Sequence, residues 1–121
     1  MITPVITRIA LYVRDMPKIA AFYEKHFGFT STVSENNDKI TLAPPLGGCA
    51  IVILQASKGH KIGQSCIKII FDVHDVAAFK SKKGKEGLIF GAIHSGPGYE
   101  FANARDPAKN LIQISSSHLA K

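Results

Sequence analysis

Cysteine is scarce in this chain. Only Cys49 and Cys66 occur among 121 residues, too few for a disulfide framework and not spaced as CxxC, which excludes a disulfide-stapled secreted scaffold and suits a reducing compartment. Each lies in an apolar, strand-like run and reads as a small buried hydrophobe. Long hydrophobic runs are missing too, since no stretch approaches the ~20 apolar residues that a membrane span requires. Met1 to Val13 has no basic leader followed by an apolar stretch and a small-residue cleavage site, so the expectation is a cytoplasmic protein without a membrane partner. Acidic residues are outnumbered, 9 against 15 basic, leaving a formal charge of +6. That balance disfavours cationic ligands and favours an anionic substrate, a nucleic acid or an acidic partner.

Metal-ligand and nucleophile patterns are equally thin. His26, His60, His74, His94 and His118 show no HxH, HxxxH or HExxH spacing, and they read as surface or capping histidines on a helix, a connector, a turn, a strand edge and the tail. Neither cysteine has a neighbouring histidine, and Ser115-Ser116-Ser117 reads as a frayed tail rather than an activated hydroxyl. The basic run Lys80-Ser81-Lys82-Lys83-Gly84-Lys85 contains no aromatic residue to stack a base, so it reads as a solvated helix face and no nucleic-acid partner is expected.

What is present is ordinary globular chemistry. The chain is 45% hydrophobic and 20% charged, with the length of one domain that buries its own core. Ile6 to Val13 alternates in branched and aromatic types and reads as a strand. Asp15 offers a helix N-cap, and Met16, Ile19, Ala20, Tyr23 and Phe27 recur at helical spacing until Gly28. Strand candidates follow at Phe29 to Ser34, Lys39 to Ala43 and Cys49 to Gln55, separated by polar and Pro/Gly-rich turns. The same grammar then restarts after the connector at 57–63: Lys68-Ile69-Ile70-Phe71-Asp72-Val73-His74-Asp75 repeats Arg8 to Asp15 at an offset of sixty. A shorter basic helix before Gly87 is followed by strand candidates at Leu88 to Ile93, Tyr99 to Arg105 and Asn110 to Ser115. The last of these mirrors Ile51 to Leu54 at the same offset. His94 to Tyr99 reads as a turn, with a mouth-closing loop as the alternative.

One such unit cannot close a core, because its helix covers only one face of its sheet. The expected class is therefore α+β: two tandem βαβββ modules at 5–56 and 64–116, with a tail at 117–121, forming one domain. Their curved mixed sheet wraps a cavity with the helices on its outer face. Ile9, Leu11, Val13, Ile69, Phe71 and Val73 should face the helices. Arg8, Ala10, Tyr12, Lys68, Ile70 and Asp72 should face the cavity.

At these residues the chain resembles the vicinal oxygen chelate superfamily, which includes glyoxalase I, extradiol dioxygenases and bleomycin-resistance proteins. The resemblance is carried by RIALYVRDMPKIAAFYEKHFGF at the start and Arg105-Asp106-Pro107-Ala108-Lys109-Asn110-Leu111-Ile112-Gln113-Ile114 at the end. It implies paired βαβββ modules around a cavity and a homodimer. In metal-dependent members, one position in each module's first strand and one in each last strand supply ligands. By the sixty-residue offset these fall on Arg8, Ile53, Lys68 and Gln113. None offers imidazole, thiolate or carboxylate to a divalent ion, so no metal and no other cofactor is expected.

The cavity then reads as an anion subsite, with Arg8 and Lys68 as its cations and Ala10, Tyr12, Ile53, Ile70 and Gln113 as an apolar wall with polar handles. Asp72 or Glu100 could neutralise the two cations from within instead. The leading expectation is a metal-free protein that binds or sequesters a small anionic or aromatic molecule. The alternatives are a glyoxalase- or dioxygenase-like enzyme with a non-standard or absent metal site, and a basic interaction module without a pocket.

Overall fold

The computed structural model describes residues 6–65 and 67–117. Cys66, His118 and the remainder of the tail lie outside the described residues, so the expectations placed on them are not addressed. The chain divides between Ile62 and Gly63 into two compact units, and each carries one βαβββ module of α+β class.

The first unit runs β1 (Arg8–Val13), α1 (Met16–Phe27), β2 (Thr30–Val33), β3 (Lys39–Ala43) and β4 (Ala50–Gln55). Its sheet has the order β1-β4-β3-β2, with β1 parallel to β4 and the other neighbours antiparallel. Asp15 caps α1, its side chain accepting from the Lys18 backbone N–H at 3.1 Å, and satisfies one of the donors that a helix start leaves unpaired. Gly28 ends the helix in the left-handed region at φ 75°, where its N–H reaches the Glu24 carbonyl; only glycine takes that conformation without a β-carbon penalty. The buried stripe of Ile19, Ala20 and Tyr23 lays α1 over β2, β3 and β4. His26 continues that stripe, seven residues past Ile19 and three past Tyr23, so it is buried beside Phe22 rather than at the surface. Cys49 is half-buried just ahead of β4, less enclosed than its apolar run suggests.

The second unit repeats the plan as β5 (Lys68–Asp72), α2 (Val76–Lys85), β6 (His94–Gly96), β7 (Tyr99–Arg105) and β8 (Leu111–Ser115), ordered β5-β8-β7-β6. Asp75 caps α2 as Asp15 caps α1, accepting from the Ala78 N–H at 3.0 Å. The strand ladders stay within each module, so the described residues form two mixed sheets of four strands.

Several elements differ from the sequence-based expectation. Leu88 to Ile93 joins no ladder. Leu88 and Phe90 are buried while Ile89 is exposed, which produces the strand-like alternation. The backbone there is held by Leu88 N–H to the Lys83 carbonyl and Gly91 N–H to the Asn103 carbonyl, with the Gly91 carbonyl accepting from Lys80. Strand pairing begins instead at His94, and Pro97-Gly98 is the turn of the β6–β7 hairpin. Ser115 and Ser116 are buried and hydrogen-bonded into the sheet, where Ser116 exchanges bonds with the Glu100 backbone; they are not a frayed tail. The lysine run is not wholly solvated either. Lys83 is buried, with its ammonium 3.5 Å from the Glu86 carboxylate and 5.6 Å from the Phe79 ring centroid.

The Asp106-Pro107 motif has a structural task. The buried Asp106 carboxylate accepts from the Ala108 and Asn110 backbone N–H groups at 2.9 and 2.8 Å and from the Asn110 side chain at 3.0 Å, shaping the turn into β8. Asp106→Ala would strand these donors. The expected loss is about 2–3 kcal/mol of unfolding free energy, measured by denaturant titration, with Asn110→Ser costing less.

Candidate functional site

The open face of each sheet is set by the ladder that joins its first strand to its last. In the second unit, Ile69 and Phe71 pair with Ile112 and Ile114; Ile112 and Ile114 are completely buried and Ile69 nearly so. Successive side chains in a strand alternate between faces. Lys68, Ile70 and Gln113 therefore share the opposite, open face. Along β7 the buried Ala102 sits between Phe101 and Asn103, so Tyr99, Phe101, Asn103 and Arg105 join that face.

A concavity of about 500 Å³ lies there. Ile70, Tyr99 and Phe101 give it an apolar floor and wall, and Lys68, Gln113 and Ser115 supply polar atoms. The Tyr99 and Phe101 rings stack with centroids 6.0 Å apart, and His94 lies 5.2 Å beyond Phe101. Gly96 makes room for this arrangement: a β-carbon at that position would collide with the Tyr99 ring. Gln113 donates from Nε2 to the Asn103 side-chain oxygen at 2.9 Å. That bond fixes the amide with Nε2 toward Asn103, so the carbonyl oxygen is the amide's acceptor group.

Lys68 is exposed and has no ion-pair partner among the described residues. Neither expected internal counter-charge is placed to reach it. Asp72 stands four residues along the same strand, about 13 Å away at a strand rise near 3.3 Å, and Glu100 has the parity of the helix-side Ala102. Arg105 falls in the same cross-strand row as Lys68, with Leu111 between them, and donates to the Lys109 carbonyl. This end of the concavity is thus positive, and the exposure of Lys68 removes the desolvation cost that would demand an internal partner.

The first unit repeats the geometry with different contents. Arg8, Ala10 and Tyr12 are exposed on one side of β1, while Val13 is fully buried on the other. Arg8 likewise has no ion-pair partner among the described residues. Tyr12 is 47% exposed, and its ring stacks on His60 with centroids 4.3 Å apart. His60 is held by its own turn: the Arg14 guanidinium donates to the Ser57 and His60 carbonyls at 2.6 and 2.7 Å, and the Ser57 N–H donates to His60 Nδ1 at 2.8 Å.

Ile53 does not belong with these residues. It pairs with Leu11 and Ile40 and is completely buried beneath α1. The open-face residue is Val52, in one row with Ala10 and Thr41. The two modules are offset by sixty residues at their first strands, where Arg8 matches Lys68, but by sixty-one at their last. Ala50 opposes Arg8 as Leu111 opposes Lys68, so Gln113 corresponds to Val52. Tyr99, Phe101, Ser115 and Ser117 also line the concavity and are absent from the sequence-based expectation; the alternating parity of β7 and β8 is the signal that points to the first three.

The whole-chain pattern agrees with a known family model. Residues 5–114 match the model of the Glyoxalase/Bleomycin resistance protein/Dioxygenase superfamily. The chain belongs to that superfamily. Its fold is similar to that of TnmS3, an antibiotic binding protein from Streptomyces sp. CB03234, at 19% identity and TM-score 0.78 over 94% of this chain and 96% of that one. It is also similar to a lactoylglutathione lyase from Agrobacterium tumefaciens, at 20% identity and TM-score 0.72 over 93% of each chain. The virulence protein STM3117 from Salmonella typhimurium aligns at 23% identity and TM-score 0.72, over 95% of this chain and 98% of that one. A search of the curated proteins finds no significant match.

The metal that this superfamily implies does not suit the residues present. With the register corrected, the four positions that the resemblance assigns to metal ligands carry Arg8, Val52, Lys68 and Gln113: two cations, an aliphatic side chain and a neutral amide. Divalent ions are held by imidazole, thiolate or carboxylate, and no cluster of three or more His, Cys, Asp or Glu side chains occurs among the described residues.

The register makes a direct prediction. Ile53→Ala empties a core position and should cost about 3–4 kcal/mol, whereas Val52→Ala on the open face should cost about 1 kcal/mol or less. Paired chemical denaturation curves check the difference.

Proposed function

We propose that this protein binds and sequesters a small molecule carrying an aromatic or apolar body and an anionic group, and that it does so without a metal. The observation that supports this most strongly is that Lys68, without an ion-pair partner among the described residues, shares one concavity of about 500 Å³ with the aromatic wall of Tyr99 and Phe101. A cavity of that size takes a ligand of one or two fused rings to drug-like size. Lys68 would meet a carboxylate or phosphate as a point charge, the Gln113 carbonyl would accept from a ligand hydroxyl or amide, and Ile70, Tyr99 and Phe101 would bury the body. Arg8, Ala10 and Tyr12 offer a cation and an apolar surface of the same kind on the open face of the first sheet, taken by itself.

The donor set favours binding over metal-assisted turnover, because the positions that polarise substrates through a metal in relatives hold cations, a valine and an amide here. In this reading the two modules act as one domain, in a cytoplasmic homodimer. The likeness to the antibiotic-binding protein and to the lyase shows the fold alone, so the experiment has to separate their two chemistries.

Thermal shifts against a panel of aromatic carboxylates, from benzoate to fused-ring acids, make the first test. A ligand at about a hundredfold excess over its Kd stabilises by about 2.7 kcal/mol, raising Tm by roughly 10 °C in a domain this small. Lys68→Glu should abolish the shift, and Tyr99→Ala should reduce it. Elemental analysis of protein dialysed against zinc, nickel and iron salts makes the second, with far less than one equivalent expected. Stoichiometric metal, or metal-dependent turnover of a thiohemiacetal or catechol, would overturn the proposal in favour of an enzyme.

A further inference from the structure

Helix α2 differs from α1 in what it leaves uncovered. Its buried positions are Val76 and Lys83, and beside it the chain that leads out of the helix forms a second groove of about 360 Å³. Phe90 and Ile89 form the apolar part of this groove, Gly84 leaves a notch on the helix side, and Lys80 and Lys85 stand at the rim. Ile89 is 72% exposed, whereas Phe90 is only 3% exposed. A β-carbon on Gly84 would meet nothing within 4 Å, so the notch is open space. Lys80 is fixed at the rim by donating to the Gly91 carbonyl at 2.8 Å.

The charge around this groove is one-signed. Lys80, Lys82, Lys83 and Lys85 fall within one and a half turns of α2, and the adjacent carboxylate, Glu86, is engaged by Lys83. We propose that the α2 groove docks an acidic segment of a protein partner, with an aliphatic side chain seated on Ile89 and over the Gly84 notch, and carboxylates meeting Lys80 and Lys85. Charge complementarity sets the sign of the partner. The one aromatic ring in the groove's lining, Phe90, is buried, which favours a peptide over a nucleic acid, because single strands bind basic grooves by stacking bases on accessible rings. The site is separate from the concavity beside Lys68 and does not depend on what that concavity holds.

Fluorescence anisotropy of the full chain with a labelled glutamate-rich peptide carrying one central leucine tests this. Lys80 also supports Gly91, so the informative variants are Lys85→Glu and Gly84→Leu, which break no contact; the second also raises helix propensity. Each is expected to weaken binding about fivefold or more, with thermal melting unchanged or raised for Gly84→Leu and slightly lowered for Lys85→Glu, which places an anion at the helix C-terminus. The leucine-to-serine peptide should bind at least fivefold more weakly than the parent. The proposal is overturned if the peptide does not bind, if leucine and serine peptides bind alike, if Gly84→Leu leaves affinity intact, or if a single-stranded oligonucleotide of equal charge binds more tightly.

Discussion

The parallel ladder between the first and last strands of each module governs what this protein can present. With β1 against β4 and β5 against β8, every residue of one strand is matched to a face by its partner on the other. The helix that follows each first strand covers one face only. The completely buried Leu42, Ile53, Ile112 and Ile114 anchor that covered face, and their burial forces the alternate residues outward. A shift of one residue in the β5–β8 ladder would place a lysine or a glutamine in the core and an isoleucine in water. The positions of Lys68, Ile70 and Gln113 on one surface thus follow from the packing of the opposite one.

Much of this was legible in the sequence, for identifiable reasons. Asp15 and Asp75 announce helix starts because a carboxylate at that point satisfies free backbone donors. Lys39 to Ala43 and Tyr99 to Arg105 read as strands because one parity of each packs against a helix. The repeat at sixty residues shows two modules, since equivalent strands need equivalent alternation. Its limit is seen at Ile53, where one extra residue in the second module changes the offset to sixty-one and reverses the parity. Sequence similarity between two apolar strands is blind to such a slip, because Ile51-Val52-Ile53-Leu54 is apolar on both faces; only the partners of each residue distinguish them. Leu88 to Ile93 misleads in the opposite way, having the alternation of a strand without a neighbour to pair with.

The two modules have diverged within a shared frame. In the first, Tyr12 carries a histidine on its face, held by a turn that Arg14 secures through backbone carbonyls. In the second, the corresponding open face holds two stacked aromatic rings, a lysine without an ion-pair partner among the described residues and an amide oriented by Asn103. The helices have diverged as well: α1 presents a continuous apolar stripe that includes His26, while α2 buries a lysine against Phe79 and leaves a basic groove outside. A duplicated fold thereby offers chemically different surfaces without any change in topology.

The central claim, that the open face of the second sheet holds an anionic aromatic ligand, is tested most directly by mapping backbone amide shifts as an aromatic carboxylate is titrated into the isotopically labelled protein. The account predicts saturable changes concentrated at Lys68, Ile70, Tyr99, Phe101 and Gln113. Saturable changes confined to the helices, with these five unmoved, would contradict it.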